Sequence, residues 1–287
     1  MATKSSNESR GNASSLATHR YHFISGLPRS GSTLLAAVLR QNPRFHSDMS
    51  SPVGGLFNSL LNDMSAKNEG SMFIDDAQRK RILHGLFDNF YADHDAEVVF
   101  DTNRMWCTKL PALKDLFPES KVIACVRSVS WIVDSIERLV RKNAFQPSSI
   151  FGYQAGGTVY TRANGVAGAD GLVGFAFDAL KEAVFGEEAP ERLCLLRYES
   201  LTANPKAAMS EIYQFLGEPA FEHDFENIAY DDRGFDKKAG TPGLHEVRKR
   251  IDTNQRKTIL PPDLFKRFEN DAFWQGQGNV PKGIRVI

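Results

Sequence analysis

The sequence predicts an α/β fold: a P-loop-like parallel β-sheet flanked by helices, in a single domain. Three observations predict it. Short apolar stretches alternate along the chain with segments of helical period, the pattern of a parallel sheet with crossover helices. The apolar stretches are nearly continuous rather than alternating, as in strands buried on both faces. The first of them runs directly into a glycine-bounded turn followed by a helical pattern. The 287 residues show no repeat and no interior boundary, and a chain of this length can bury a core without disulfides or metals.

Taken in order, residues 1–19 are Ser/Asn-rich and almost without apolar residues. They lack the apolar stretch of a secretory signal and read as a disordered tail before a domain spanning 20–287. YHFIS (21–25) is the first strand. STLLAAVLRQ follows Gly31 as a helix and stops before Asn42-Pro43, because the residue before proline disfavours helix. DDAQRKRILHGLFDNFY (75–91) keeps a helical period, EVVF (97–100) and KVIACV (121–126) are strands, and residues 129–143 form a helix with Trp131, Ile132, Ser135, Ile136 and Leu139 on related faces. RLCLLR (192–197) is another strand. NPKAAMSEIYQFLG starts on Asn-Pro and ends at Gly217, the usual helix punctuation. Residues 145–171, rich in glycine and aromatics and weakly periodic, are expected to be a long loop that covers a substrate.

Composition excludes several function classes. Lys plus Arg (35) equals Asp plus Glu (35), so no global charge argues for nucleic acid, and any basic site is local. No stretch approaches the roughly 18 apolar residues of a membrane span. Cys107, Cys125 and Cys194 stand far apart in apolar surroundings. They read as buried free thiols in a reducing, cytoplasmic setting, and no Cys/His spacing suggests a metal.

The turn after the first strand carries the chemistry. Gly26-Leu-Pro-Arg-Ser-Gly31-Ser-Thr33 has the glycine spacing and terminal hydroxyl of G-x-x-x-x-G-K-[ST], with Ser32 in the lysine position. Glycines let successive N–H groups turn inward, and the following helix aims its N-terminal N–H groups at the same point. Ser30, Ser32, Thr33 and the Leu34 backbone add donors, and Arg29 adds a forked cation. The lysine of nucleoside-triphosphate enzymes reaches the β/γ-phosphates and the hydroxyl holds Mg²⁺. Its absence predicts a ligand with fewer phosphates there and no metal.

GLPRSGSTLL resembles the 5′-phosphosulfate loop of sulfotransferases, especially that of the tyrosylprotein sulfotransferases. FPESKVIACVRSVSWIVDSIERLV resembles the family's 3′-phosphate segment through Arg127-x7-Ser135. LLRYESLTANPKAAMSEIYQFLG resembles its later strand–helix segment with Tyr198-Glu199, and VVFDTNRMW sits where the family has a strand leading to a catalytic Lys or His. These matches run in order over about residues 21–220. The resemblance implies 3′-phosphoadenosine 5′-phosphosulfate (PAPS) as sulfuryl donor and the 3′,5′-bisphosphate as product. It implies donor contacts from Arg29, Ser30, Gly31, Ser32, Thr33, Leu34, Arg127, Ser135 and Tyr198. A basic segment, 240–260, with Arg248, Lys249, Arg250 and Lys257, would close over the phosphates or attract an acidic acceptor.

For catalysis, Arg29 and the loop N–H groups would stabilise the leaving oxygen. Arg104 falls where the tyrosylprotein enzymes carry their Lys; it can supply charge but not a proton, and the competing role is a surface salt bridge with Asp101. The family's glutamate base does not carry over, because Ser50 or a neighbour stands there. His46, Asp48 and Asp101 are the nearby candidates. His46 suits neutral pH, whereas a carboxylate would need a raised pKa. The acceptor implied is a protein or peptide tyrosine, or a small phenol, alcohol or glycan. A homodimer is compatible with the sequence; nucleic-acid and membrane partners are not expected. A P-loop kinase and a non-catalytic nucleotide-binding module are the competing readings.

Overall fold

The computed structural model describes residues 19–145, 148, 157–186, 190–230, 233–238, 240–252, 256–276 and 278–287. The tail predicted over 1–19 lies outside the described residues except His19, which is buried and bonded by its ring nitrogens to the Ala96 and Tyr91 carbonyls. In chain order the elements are β1 (Arg20–Gly26), α1 (Ser32–Leu39), β2 (Phe45–Ser47), α2 (Val53–Asp63), α3 (Asp76–Phe90), β3 (Val98–Thr102), α4 (Leu110–Leu116), β4 (Val122–Val126) and α5 (Val129–Lys142). There follow α6 (Val159–Ala167), α7 (Leu172–Phe185), β5 (Leu193–Arg197), α8 (Tyr198–Ala203), α9 (Pro205–Leu216), α10 (Arg233–Lys238), α11 (Pro262–Arg267) and β6 (Arg285–Val286).

The strands form one six-stranded sheet in the order β2-β3-β1-β4-β5-β6, parallel at every pairing. Side chains alternate between faces, so each strand feeds two cores. Phe23 packs among Phe57, Phe87, Trp106 and Phe117 on one side. Its neighbour Ile24 joins Leu35, Phe100, Ile123, Leu196 and Ile212 on the other. Burial on both faces is why the strands lack a polar alternation. The three cysteines are free and buried.

The chain returns from β3 on one side of β1 and then places β4 on the other. The strand order therefore reverses at β1, and a crevice opens past the carboxyl ends of β1 and β4, where ligands bind in open α/β sheets.

Several segments depart from the sequence expectation, among them β2, three residues that the sequence pattern does not mark as a strand. The 145–171 segment is not all loop: Val159–Ala167 is helical, its start capped by the Thr158 hydroxyl on the Thr161 N–H at 3.3 Å. Only Ala163 and Val166 of this helix are buried, too few to show a period. Of the rest, 146, 147 and 149–156 lie outside the described residues. The 97–100 strand continues through Asp101 and Thr102, because the Asp101 carboxylate finds enough donors to lie fully buried. The last strand, β6, pairs with β5, and just past it Ile287 N–H donates to the Leu195 carbonyl; two residues are too short for periodicity to reveal.

Candidate active site

The turn between β1 and α1 is fixed from behind. Gly26 has φ 99°, and a Cβ there would fall 2.2 Å from the Cys125 carbonyl oxygen, so no other residue fits this approach to β4. Leu27 N–H donates to the same carbonyl at 2.8 Å. The Ser30 hydroxyl also turns inward, donating to the Leu27 and Cys125 carbonyls. Ser30 therefore pins the loop to the sheet and does not line the cleft, a correction to its expected place as a phosphate donor. Arg29 has φ 57°, a left-handed conformation rare outside glycine, followed by Gly31 at φ 98°. This pair wraps the backbone around the mouth of α1 and leaves Ser32, Thr33 and Leu34 facing a cleft of about 720 Å³.

Cations converge on this cleft. Arg29 donates through Nε to Ser135 Oγ at 3.1 Å and through Nη1 to the Leu244 carbonyl. Burial, with Arg127 adjacent, pushes its pKa down to about 10, which leaves it charged at neutral pH. Arg127, just past β4, donates Nη1 to the Arg29 carbonyl at 3.2 Å and lies over the Tyr198 ring at 4.1 Å, a cation–π arrangement. Its Nε is buried without a partner. An unpaired buried donor is costly, and the rest of the guanidinium lines the cleft. Arg127, Ser135, Tyr198 and Arg29 thus form one cluster. Arg104 also lines the cleft; burial lowers its pKa, and it makes no salt bridge with Asp101 or any other described carboxylate.

The C-terminal segment crosses above. Ile228 N–H donates to the Lys249 carbonyl and Ile251 N–H to the Phe225 carbonyl, which ties 225–228 to 249–251 as a two-stranded strap. Arg248 and Arg250 line the cleft from it. Lys257 does not; its side chain is exposed, and only its carbonyl is engaged, accepting from Arg138. Arg256 takes that inward position, ion-paired to Asp134 at 2.8 Å and 5.8 Å above the Trp131 ring. Buried Asp134 anchors the strap to α5, accepting from Arg138 Nε (2.9 Å), Thr258 Oγ1 (3.0 Å) and Ile259 N–H (2.8 Å).

The expected bases stand elsewhere. His46 stacks on His94 with centroids 3.8 Å apart, and its Nε2 lies 3.3 Å from Asp48. Asp48 in turn pairs with Arg40 at 3.1 Å, and His46 beside it holds its carboxyl below the usual range. Asp101 accepts from Ser51 (2.5 Å), Tyr91 (2.6 Å) and Trp106 (2.7 Å), and desolvation outweighs these bonds to raise its pKa. None of the three lines the cleft. What sequence reasoning missed is His245, inside the basic segment, with Nδ1 2.6 Å from Asp236 of α10. Among the described residues no His/Cys/Asp/Glu group is placed to hold a metal, and no helix is long and apolar enough to cross a membrane.

Comparison with known proteins bears on family and fold. A family model described as "Sulfotransferase family" matches residues 22–223. Among solved structures, the sulfotransferase domain from the curacin biosynthetic pathway is similar at 19% identity and TM-score 0.55, over 88% of this chain and 96% of that one. At that identity the likeness concerns the fold. A sulfotransferase from Mycobacterium avium aligns at 13% identity and TM-score 0.42, over 90% of this chain and 77% of its own. No curated protein matches the sequence.

Proposed function

The chain belongs to the sulfotransferase family, and from that premise we propose that it transfers the sulfuryl group of PAPS to an acceptor hydroxyl. The observation that carries the donor assignment is the pairing of a lysine-free phosphate loop with the cleft-lining guanidinium of Arg127 one strand away. A donor with phosphates on both the 5′ and 3′ positions of one ribose needs two anion stations side by side. Ser32, Thr33 and the N–H groups at the mouth of α1 suit the 5′-phosphosulfate. Arg127 and Ser135, with Arg29 bonded to the latter, suit the 3′-phosphate.

Sulfuryl transfer, like phosphoryl transfer, asks the protein mainly to position two oxygens in line and to stabilise charge on the leaving one. The loop N–H groups meet that charge in a partly dehydrated site, where such contacts are strongest, and Arg29, bonded to Ser135 and the Leu244 carbonyl, adds its positive charge from the 3′-phosphate side. Arg104, half-buried in the cleft wall and without a carboxylate partner among the described residues, supplies a second cation toward the reacting group.

A tyrosine in an acidic peptide is the acceptor this reading names first, because Arg248 faces the cleft from the strap and would draw negative charge, beside Arg250, which is paired with Glu226 at 2.9 Å. A thermal-shift series separates the donor readings. Stabilisation by the 3′,5′-bisphosphate but not by ATP-Mg²⁺ is expected, and stabilisation by ATP-Mg²⁺ alone would overturn the proposal. Transfer of radiolabelled sulfate from PAPS, tried on tyrosine peptides and then on phenols, alcohols and glycans, names the acceptor. Bisphosphate binding with no transfer to any of these would indicate a binding module.

A further inference from the structure

We propose that His245, oriented by Asp236, takes the proton from the acceptor hydroxyl; this rests on the sulfotransferase reading above. His245 faces the cleft beside Leu244, whose carbonyl receives Arg29. Asp236 accepts twice from the same residue, from the His245 ring Nδ1 at 2.6 Å and from its backbone N–H at 2.8 Å. Both groups are nearly buried, with side-chain exposures of 11% and 5%. An ionised carboxylate can only accept, so Nδ1 carries the proton and Nε2 keeps its lone pair. The same logic orients the histidine of a Ser-His-Asp triad. Nε2 has no partner among the described residues.

The charged groups facing this ring are Asp236 from α10, Arg29 from the loop and Arg104 after β3. Burial, helped by the two arginines, lowers its pKa despite Asp236, which keeps the imidazole neutral and able to accept. The carboxylates that also line the cleft, Glu199, Glu246 and Asp252, are exposed, and Glu246 pairs with Lys142. In the step, the acceptor O–H gives its proton to Nε2 as its oxygen bonds to sulfur. The bond from sulfur to the 5′-phosphate oxygen breaks, its electron pair staying on that oxygen, and the imidazolium then returns its proton to solvent.

The test compares two probe acceptors, phenol and 4-nitrophenol, in single turnovers with PAPS. His245→Gln should lose at least about 10²-fold with phenol and much less with 4-nitrophenol, which ionises unaided near neutrality. Asp236→Asn should lose less than His245→Gln and shift the acidic limb of the pH–rate profile. Both variants should bind the 3′,5′-bisphosphate like the unaltered protein. Equal losses with both acceptors, or full activity of His245→Gln, would overturn the assignment while leaving sulfotransfer intact. Independently of any acceptor, ¹⁵N-histidine NMR should show His245 protonated at Nδ1, with its resonance moving when the bisphosphate binds. An Nε2-protonated tautomer overturns the proposal, whereas failure of the unaltered protein to bind the bisphosphate overturns the sulfotransferase reading beneath it.

Discussion

Replacing Arg127 by alanine tests the second phosphate station most directly. Two features set the magnitude. The guanidinium is already held in place, by the Arg29 carbonyl at 3.2 Å and the Tyr198 ring at 4.1 Å, so a ligand does not have to order it. The guanidinium lines the cleft, so a phosphate oxygen beside it gains a charged hydrogen bond. Charged bonds of this kind contribute about 1.5–3 kcal/mol, which corresponds to roughly 10- to 150-fold in affinity. Isothermal calorimetry should show that loss for the 3′,5′-bisphosphate and almost none for adenosine 5′-phosphate, which lacks the 3′ group. Arg127→Lys, which keeps the charge but not the fork, should fall between. Loss of the cation–π contact with Tyr198 costs about 0.5–1 kcal/mol of stability, which a thermal melt separates from binding. Equal losses for both nucleotides would mean that Arg127 supports the fold rather than the 3′-phosphate, and the two-station reasoning would fail.

Other outcomes follow from the same geometry. Gly26→Ala forces a Cβ to within 2.2 Å of the Cys125 carbonyl at a φ of 99°; it should cost at least about 2 kcal/mol in urea unfolding and abolish bisphosphate binding. Asp134→Ala strips the strap of its acceptor for Thr258 and Ile259 and of its ion pair with Arg256. Limited proteolysis should then cut within 245–260, and the bisphosphate should dissociate faster. Burial pushes the pKa of His223 down to about 4, so between its unfolded value near 6.5 and pH 4 the unfolded chain binds the proton that the folded chain refuses. Stability from this group is complete above pH 6.5 and should fall as pH drops toward 4. Urea midpoints should decline over that range, and His223→Phe should flatten the decline.

The legible parts of this protein are those whose reasons are local. The β1–turn–α1 unit could be read because a left-handed turn and a helix mouth demand particular residues within ten positions. Arg127 and Ser135 could be read because a strand end and the next two helical turns fix their separation, and the structure adds that Arg29 joins them. The 145–171 segment was misjudged where a helix buries only Ala163 and Val166, too thin a stripe to register as a period.

The roles of His46, Asp101, Ser30 and Lys257 were decided by packing. Each has suitable chemistry in a suitable stretch, but His46 lies against His94, Asp101 gives its oxygens to three donors, Ser30 faces the sheet and Lys257 faces solvent. A residue type states what a group can do; its neighbours determine whether that capacity is already used. By itself the sequence determined the four central strands, the lysine-free loop and the placing of Arg127 and Ser135, because backbone preferences and strand-end positions act over short range. The tertiary structure alone decided which groups share the cleft. Leu244 meets Arg29 across 215 positions, and the His245–Asp236 pair arrives there only because the strap folds back over the crevice that the strand order opens.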